Sequence, residues 1–93
     1  MQLTLYTVNG CGDCREAKHF LAKHQIPYTE IDIDLRPAAA AELIAQVGRR
    51  AVPQFVVDGR WVQPYRPGRG FLYKEMEELF GLSSSTSNPE SRS

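Results

Sequence analysis

Leu3-Thr4-Leu5-Tyr6-Thr7-Val8 runs through Asn9-Gly10 into Cys11-Gly12-Asp13-Cys14, and the reading of this stretch decides the fold. Its first six residues are rich in branched and aromatic side chains, which suits a buried strand. Asn9-Gly10 is a turn signal that closes it. A helix then starts around Cys11 to Asp13 and continues to about His24. Ala17, Phe20, Leu21 and His24 recur at helical spacing and mark its inner face. Ile26-Pro27 ends it.

Working outward, Tyr28 to Asp34 alternates, with Ile31 and Ile33 on one side and Glu30, Asp32 and Asp34 on the other, as in a half-exposed strand. Pro37 fits the first turn of a second helix, the alanine run with Glu42 favours its interior, and Gly48 ends it. Leu43, Ile44 and Val47 are read as its apolar face. Phe55-Val56-Val57, Asp58-Gly59 and Arg60-Trp61-Val62 form a hairpin signal. A last helix is expected from about Phe71 to Phe80, with Leu72, Met76, Leu79 and Phe80 inside and Gly81 as its stop. The order strand, helix, strand, helix, strand, strand, helix predicts an α/β fold: a four-stranded mixed sheet flanked by three helices. Residues 1–82 are read as one domain and 83–93, mostly serine, as a flexible tail.

The chain has 93 residues, which suits one domain. Eleven Lys and Arg balance eleven Asp and Glu, which argues against a protein devoted to nucleic acid or to anionic membrane. No run reaches the length of a membrane helix, and no leader pattern precedes Leu3. Two cysteines spaced this closely suit redox chemistry better than a secreted disulfide framework. A cytoplasmic address and a monomer are expected.

Disulfide exchange needs a thiolate, and it needs one at the surface. A helix N-terminus carries unpaired N–H groups and a partial positive charge, both of which favour an anion. Cys11 therefore belongs at the exposed tip as the nucleophile. Cys14, one turn further in, is the resolving thiol and is expected to be the more ordinary of the two. Asp13 favours the helix start but opposes a neighbouring thiolate, Arg15 is placed where it can offset that charge, and both net directions stay open at this stage. Half a zinc site is the competing reading of the pair. His19 and His24 lie on the same helix, and His24 sits too far along it to return to its start, so no metal is expected.

In this order and spacing, Leu5-Tyr6-Thr7, Cys11-Gly12-Asp13-Cys14, Arg49-Arg50-Ala51-Val52-Pro53-Gln54 and Val57-Asp58-Gly59 resemble the glutaredoxin family, which has a thioredoxin-like fold. The resemblance covers roughly Gln2 to Leu82. It implies a cis bond before Pro53, with Val52 offering its backbone to a substrate strand or to glutathione beside Cys11. It further implies a thiol–disulfide oxidoreductase that acts on protein or glutathione-mixed disulfides and binds no resident cofactor.

The segment around the second half departs from the glutathione-using members. Val8 stands where they usually carry Lys, Gly12-Asp13 where they carry Pro-Tyr, and Gln63 to Gly70 where they carry Gly-Gly and an acidic residue. Trp61 and Tyr65-Arg66-Pro67 resemble instead the Trp-Ser-Gly-Phe-Arg-Pro stretch of the redoxins that serve ribonucleotide reductase. Glutathione and thioredoxin reductase are thus both candidate electron donors. Arg49 and Arg66 are candidate partners for a substrate carboxylate. A glutathione-dependent iron–sulfur carrier and a binding module without turnover are the alternative functions.

Overall fold

The computed structural model describes residues 1–82; the expected tail, 83–93, lies outside the described residues. Strands β1 (Leu3–Thr7), β2 (Thr29–Asp32), β3 (Gln54–Val57) and β4 (Arg60–Val62) form one sheet in the order β2-β1-β3-β4. β1 runs parallel to β2 and antiparallel to β3, and β4 pairs antiparallel with β3. The parallel crossover is made by helix α1 (Gly12–Lys23), and helix α2 (Pro37–Val47) connects β2 to β3. A parallel pair needs such a crossover because no tight turn can join its ends.

Two clusters of buried side chains lie on opposite faces of the sheet. On one face Leu3, Leu5 and Phe55 meet Ala17, Phe20 and Leu21 of α1 and Met76 of helix α3 (Tyr73–Leu79). On the other, Tyr6 and Ile33 meet Ala40 and Leu43 of α2, with Trp61 packed edge-on against Tyr6. The alternation of β1 dictates this split, since Leu5 and Tyr6 must point opposite ways.

The turns follow their residues. Asp58 and Gly59 both take positive φ, 51° and 85°, the conformation that joins two antiparallel strands without splaying them. Gly48 closes α2 at φ 88° and its N–H donates to Ile44 O, the left-handed cap that glycine adopts without a Cβ clash.

Four expectations need correction. Strand β2 is shorter than Tyr28 to Asp34, because Asp32 turns the chain by accepting the Asp34 N–H at 2.9 Å. Ile44 is 40% exposed; the buried stripe of α2 runs through Ala40 and Leu43, with Val47 packed beside them, so Ile44 sits at its margin. The last helix begins at Tyr73, not Phe71. Phe71 belongs to a small hairpin, β5 (Tyr65–Arg66) with β6 (Gly70–Phe71), that the sequence reading leaves as a connection. Leu72 N–H donates to Pro64 O at 2.8 Å and closes the base of that hairpin.

Candidate active site

Gly10 takes φ 82° and turns the chain from β1 into α1, which puts Cys11 at the mouth of the helix. Cys11 is the N-cap residue, with extended backbone. Its carbonyl accepts the Arg15 N–H at 3.1 Å, and its Sγ accepts the Cys14 N–H at 3.1 Å. A sulfur thus takes the place that a serine or aspartate oxygen fills in an ordinary cap. One of the unpaired donors of the first turn points straight at it.

The two thiols are free, and their surroundings differ. Cys11 is half-buried, whereas Cys14 is 1% exposed. Burial pushes the Cys14 thiol up to about 12, and its hydrogen bond with Cys11 adds to the rise. The Val8 backbone acts the other way, while the charges of Cys11 and Asp13 reinforce burial. Cys14 is therefore no ordinary thiol. The sequence places it one turn into the helix, but its depth depends on the sheet beneath it.

Cys11 and Cys14 open onto a crevice of about 130 Å³ whose other walls include Thr7, Lys18, Glu30 and Asp32. Glu30 Oε2 accepts hydrogen bonds from Thr7 Oγ1 at 2.9 Å and Lys18 Nζ at 3.1 Å. Partial burial pushes its carboxyl up, but the Lys18 and Thr7 hydrogen bonds and the Lys18 charge outweigh that and leave it below the usual range. Sequence reasoning missed these residues. The signal was present: Lys18 lies four positions after Cys14, on the same helix face. Glu30 sits opposite Leu5 in the parallel register, so it points toward α1 and not simply into solvent.

The bond between Val52 and Pro53 is cis, as the family resemblance implies. Pro53 is buried, and its carbonyl accepts the Gln63 side-chain N–H at 2.8 Å. Val52 packs against the α2-side cluster alongside Val8, the residue whose backbone reaches the Cys14 thiol. Val52 also lines a second, open groove of about 270 Å³ with Arg49, Tyr65 and Pro67. Arg66 is exposed on β5 and lines neither concavity. Of the expected site residues, then, the cysteines share one crevice, Val52 and Arg49 share another, and Arg66 stands apart.

Comparison with known proteins gives the same picture. The Glutaredoxin family model matches residues 3–62. The glutaredoxin-like protein NrdH of Lactococcus lactis is 34% identical over 65 residues, 70% of this chain and 89% of the relative. Glutaredoxin 3 of Escherichia coli is 33% identical over 58 residues, 62% of this chain and 70% of that protein. Among solved structures, NrdH-redoxin from Escherichia coli, a glutaredoxin-like protein described as having a thioredoxin-like activity profile, superposes with a TM-score of 0.64. It is 31% identical, with 73% of this chain and 88% of that one covered.

Proposed function

The chain belongs to the glutaredoxin family of thiol–disulfide oxidoreductases, and on that premise we propose that it reduces protein disulfides through Cys11 and Cys14, drawing its electrons from a thioredoxin reductase. The observation that carries the reading is the asymmetry of the two sulfurs. One sits at the helix mouth and accepts a backbone N–H, and the other is sealed behind it.

The Cys11 thiolate attacks one sulfur of the substrate disulfide. A Cys11–substrate bond forms, and the other substrate sulfur leaves as a thiolate. Cys14 then attacks the Cys11 sulfur, the Cys11–Cys14 bond forms, and the second substrate sulfur is released. The substrate gains two electrons and the protein loses two. The donor reverses this by attacking Cys11, because Cys14 is out of reach.

Val52 makes no hydrogen bond among the described residues through its N–H or C=O, which suits pairing with an extended substrate segment. Arg49, in the same groove, suits a carboxylate on that segment. Arg66 is a rim cation outside both concavities, and glutathione-mixed disulfides are the second substrate class. A reducing cytoplasm keeps such a dithiol in its working form.

The choice of donor rests on two supports. The thioredoxin-like profile described for the Escherichia coli relative is carried over to this chain. Gly12-Asp13 and Gln63 to Gly70 also replace the residues that glutathione-using members carry there. Insulin reduction assayed with NADPH and thioredoxin reductase, and separately with glutathione and its reductase, tests the choice. Faster turnover with the first donor is expected. Faster turnover with glutathione overturns it.

A further inference from the structure

The ladder between β3 and β4 pairs Phe55 with Val62. Carried one and two places further, the same register sets Gln63 beside Gln54 and Pro64 beside Pro53. There the ladder fails. Pro64 has no N–H to give, so the carbonyl of the buried Pro53 meets no backbone donor among the described residues. A buried carbonyl needs a partner from somewhere. Gln54 cannot serve, because its side-chain N–H is spent on Phe55 O at 2.9 Å. Gln63 does serve, donating from Nε2 to Pro53 O at 2.8 Å.

What this hydrogen bond holds is the neighbouring residue. Val52 leaves its N–H and C=O unpartnered among the described residues, while its side chain packs against the α2-side cluster. Packing fixes where that side chain lies. It does not fix the tilt of the peptide planes on either side, which turn about the soft backbone torsions. Upstream, the Ala51 N–H is tied to Arg49 O at 2.9 Å. Downstream, the pyrrolidine ring locks φ of Pro53, which leaves one soft torsion between the Pro53 carbonyl and the Val52 peptide. Anchoring that carbonyl therefore sets the direction in which the Val52 backbone is presented.

We propose that Gln63 is a positioning residue for substrate: its amide holds the Pro53 carbonyl where Pro64 cannot, and so keeps the Val52 N–H and C=O turned toward an extended substrate segment. The proposal rests on the reading of Val52 as the residue that pairs with substrate. Gln63 also lines the open groove that Val52, Tyr65 and Pro67 share, so the anchor and the docking backbone border one concavity. A disulfide that carries peptide backbone draws on this anchor, and one without it does not. A hydrogen bond that served the fold alone would act on both alike.

Stopped-flow release of thionitrobenzoate from two probes makes that separation with the full chain. One probe is 5,5′-dithiobis(2-nitrobenzoate), which has no peptide bond. The other is a linear peptide joined to thionitrobenzoate through its one cysteine. In both, the Cys11 thiolate attacks one sulfur, the S–S bond breaks and thionitrobenzoate leaves as a thiolate. The concentration dependence with the peptide gives an apparent Kd and a limiting rate. Gln63→Met keeps the length of the side chain and removes the donor. Its apparent Kd for the peptide is expected to rise about threefold to tenfold, the worth of one hydrogen bond. Its limiting rate, and its rate with the small disulfide, should stay within about twofold of wild type. Gln63→Lys, whose ammonium reaches the same carbonyl, should return most of the affinity. In amide NMR spectra the Val52 signal should shift or broaden in Gln63→Met while the sheet signals stay in place.

An unchanged peptide Kd in Gln63→Met overturns the proposal. So does a loss that falls equally on both probes, which marks a structural role, and so does an equal loss in Gln63→Lys. The same peptide with its backbone amides N-methylated tests the premise separately. If the wild-type protein binds methylated and unmethylated peptide alike, Val52 pairs with no substrate backbone and the premise itself fails. If wild type discriminates and Gln63→Met does so to the same extent, only the role of Gln63 is lost.

Discussion

At the scale of single residues, the chemistry turns on two sulfurs that share a helical turn and little else. Cys14 is pushed up to about 12 by burial, so in the reduced protein it should resist iodoacetamide at neutral pH while Cys11 is modified. Mass spectrometry of the labelled peptides checks this, and equal labelling of both sites would contradict it. The same shift has a consequence for stability. A thiol raised above its ordinary value favours the fold while protonated, fully so below the ordinary thiol range, and that contribution is lost as pH climbs toward about 12. Unfolding midpoints in urea should therefore fall more steeply between about pH 8 and about pH 10.5 for wild type than for Cys14→Ala. Tyr6 is also raised, by burial and by its contact with Glu42, and Tyr73 by its hydrogen bond to Glu16. Both titrate in either protein, so the difference isolates Cys14. On the catalytic side, Cys14→Ser should leave substrate trapped on Cys11, visible as a mass adduct removed by dithiothreitol, whereas Cys11→Ser should form no adduct. The cysteines were legible from the sequence because their spacing is chemical in itself. Glu30 and Lys18 were not, because their meeting depends on the register between β1 and β2.

At the scale of elements, the sequence speaks clearly where one residue has one use. Pro37 opens α2 and Gly48 closes it, and Asp58-Gly59 makes the turn it predicts. Replacing Gly59 by Ala puts a Cβ at φ 85° and should cost about 1 kcal/mol in urea unfolding. The sequence is ambiguous where two adjacent apolar residues compete for one helix face. Leu43 and Ile44 are equally hydrophobic, yet Leu43 is fully buried and Ile44 is 40% exposed. Leu43→Ala should therefore cost about 2–5 kcal/mol, while Ile44→Ala stays within about 0.5 kcal/mol of wild type. A large loss at Ile44 would mean that α2 is rotated about its axis. The hairpin β5-β6 escaped sequence reading because two-residue strands carry no period, and its glycines and prolines read equally well as a loop. Its anchor is tertiary: Phe71 is buried against Phe20 and Phe55.

At the scale of the whole molecule, the order of strands and helices was legible because each crossover is forced by strand direction. Where the cysteines stand relative to the core was not. That follows from the sheet having an α1 and α3 side and an α2 side, a division set by contacts distant in sequence. Phe55 is central to the larger side, fully buried and ringed by Phe71 and Phe80. Phe55→Ala should cost about 3–5 kcal/mol, a large part of what a domain of this size has to spare. A marked fall in thermal midpoint by calorimetry checks it. Residues 1–82 contain every contact named above, and a chain ended at Leu82 should keep its insulin-reduction rate. The seal over Cys14 has one last implication. Oxidant and reductant must both be served by Cys11, so they queue for a single doorway and cannot occupy the protein together. Double-reciprocal plots at several donor concentrations should therefore be parallel, and an excess of either reactant should compete with the other.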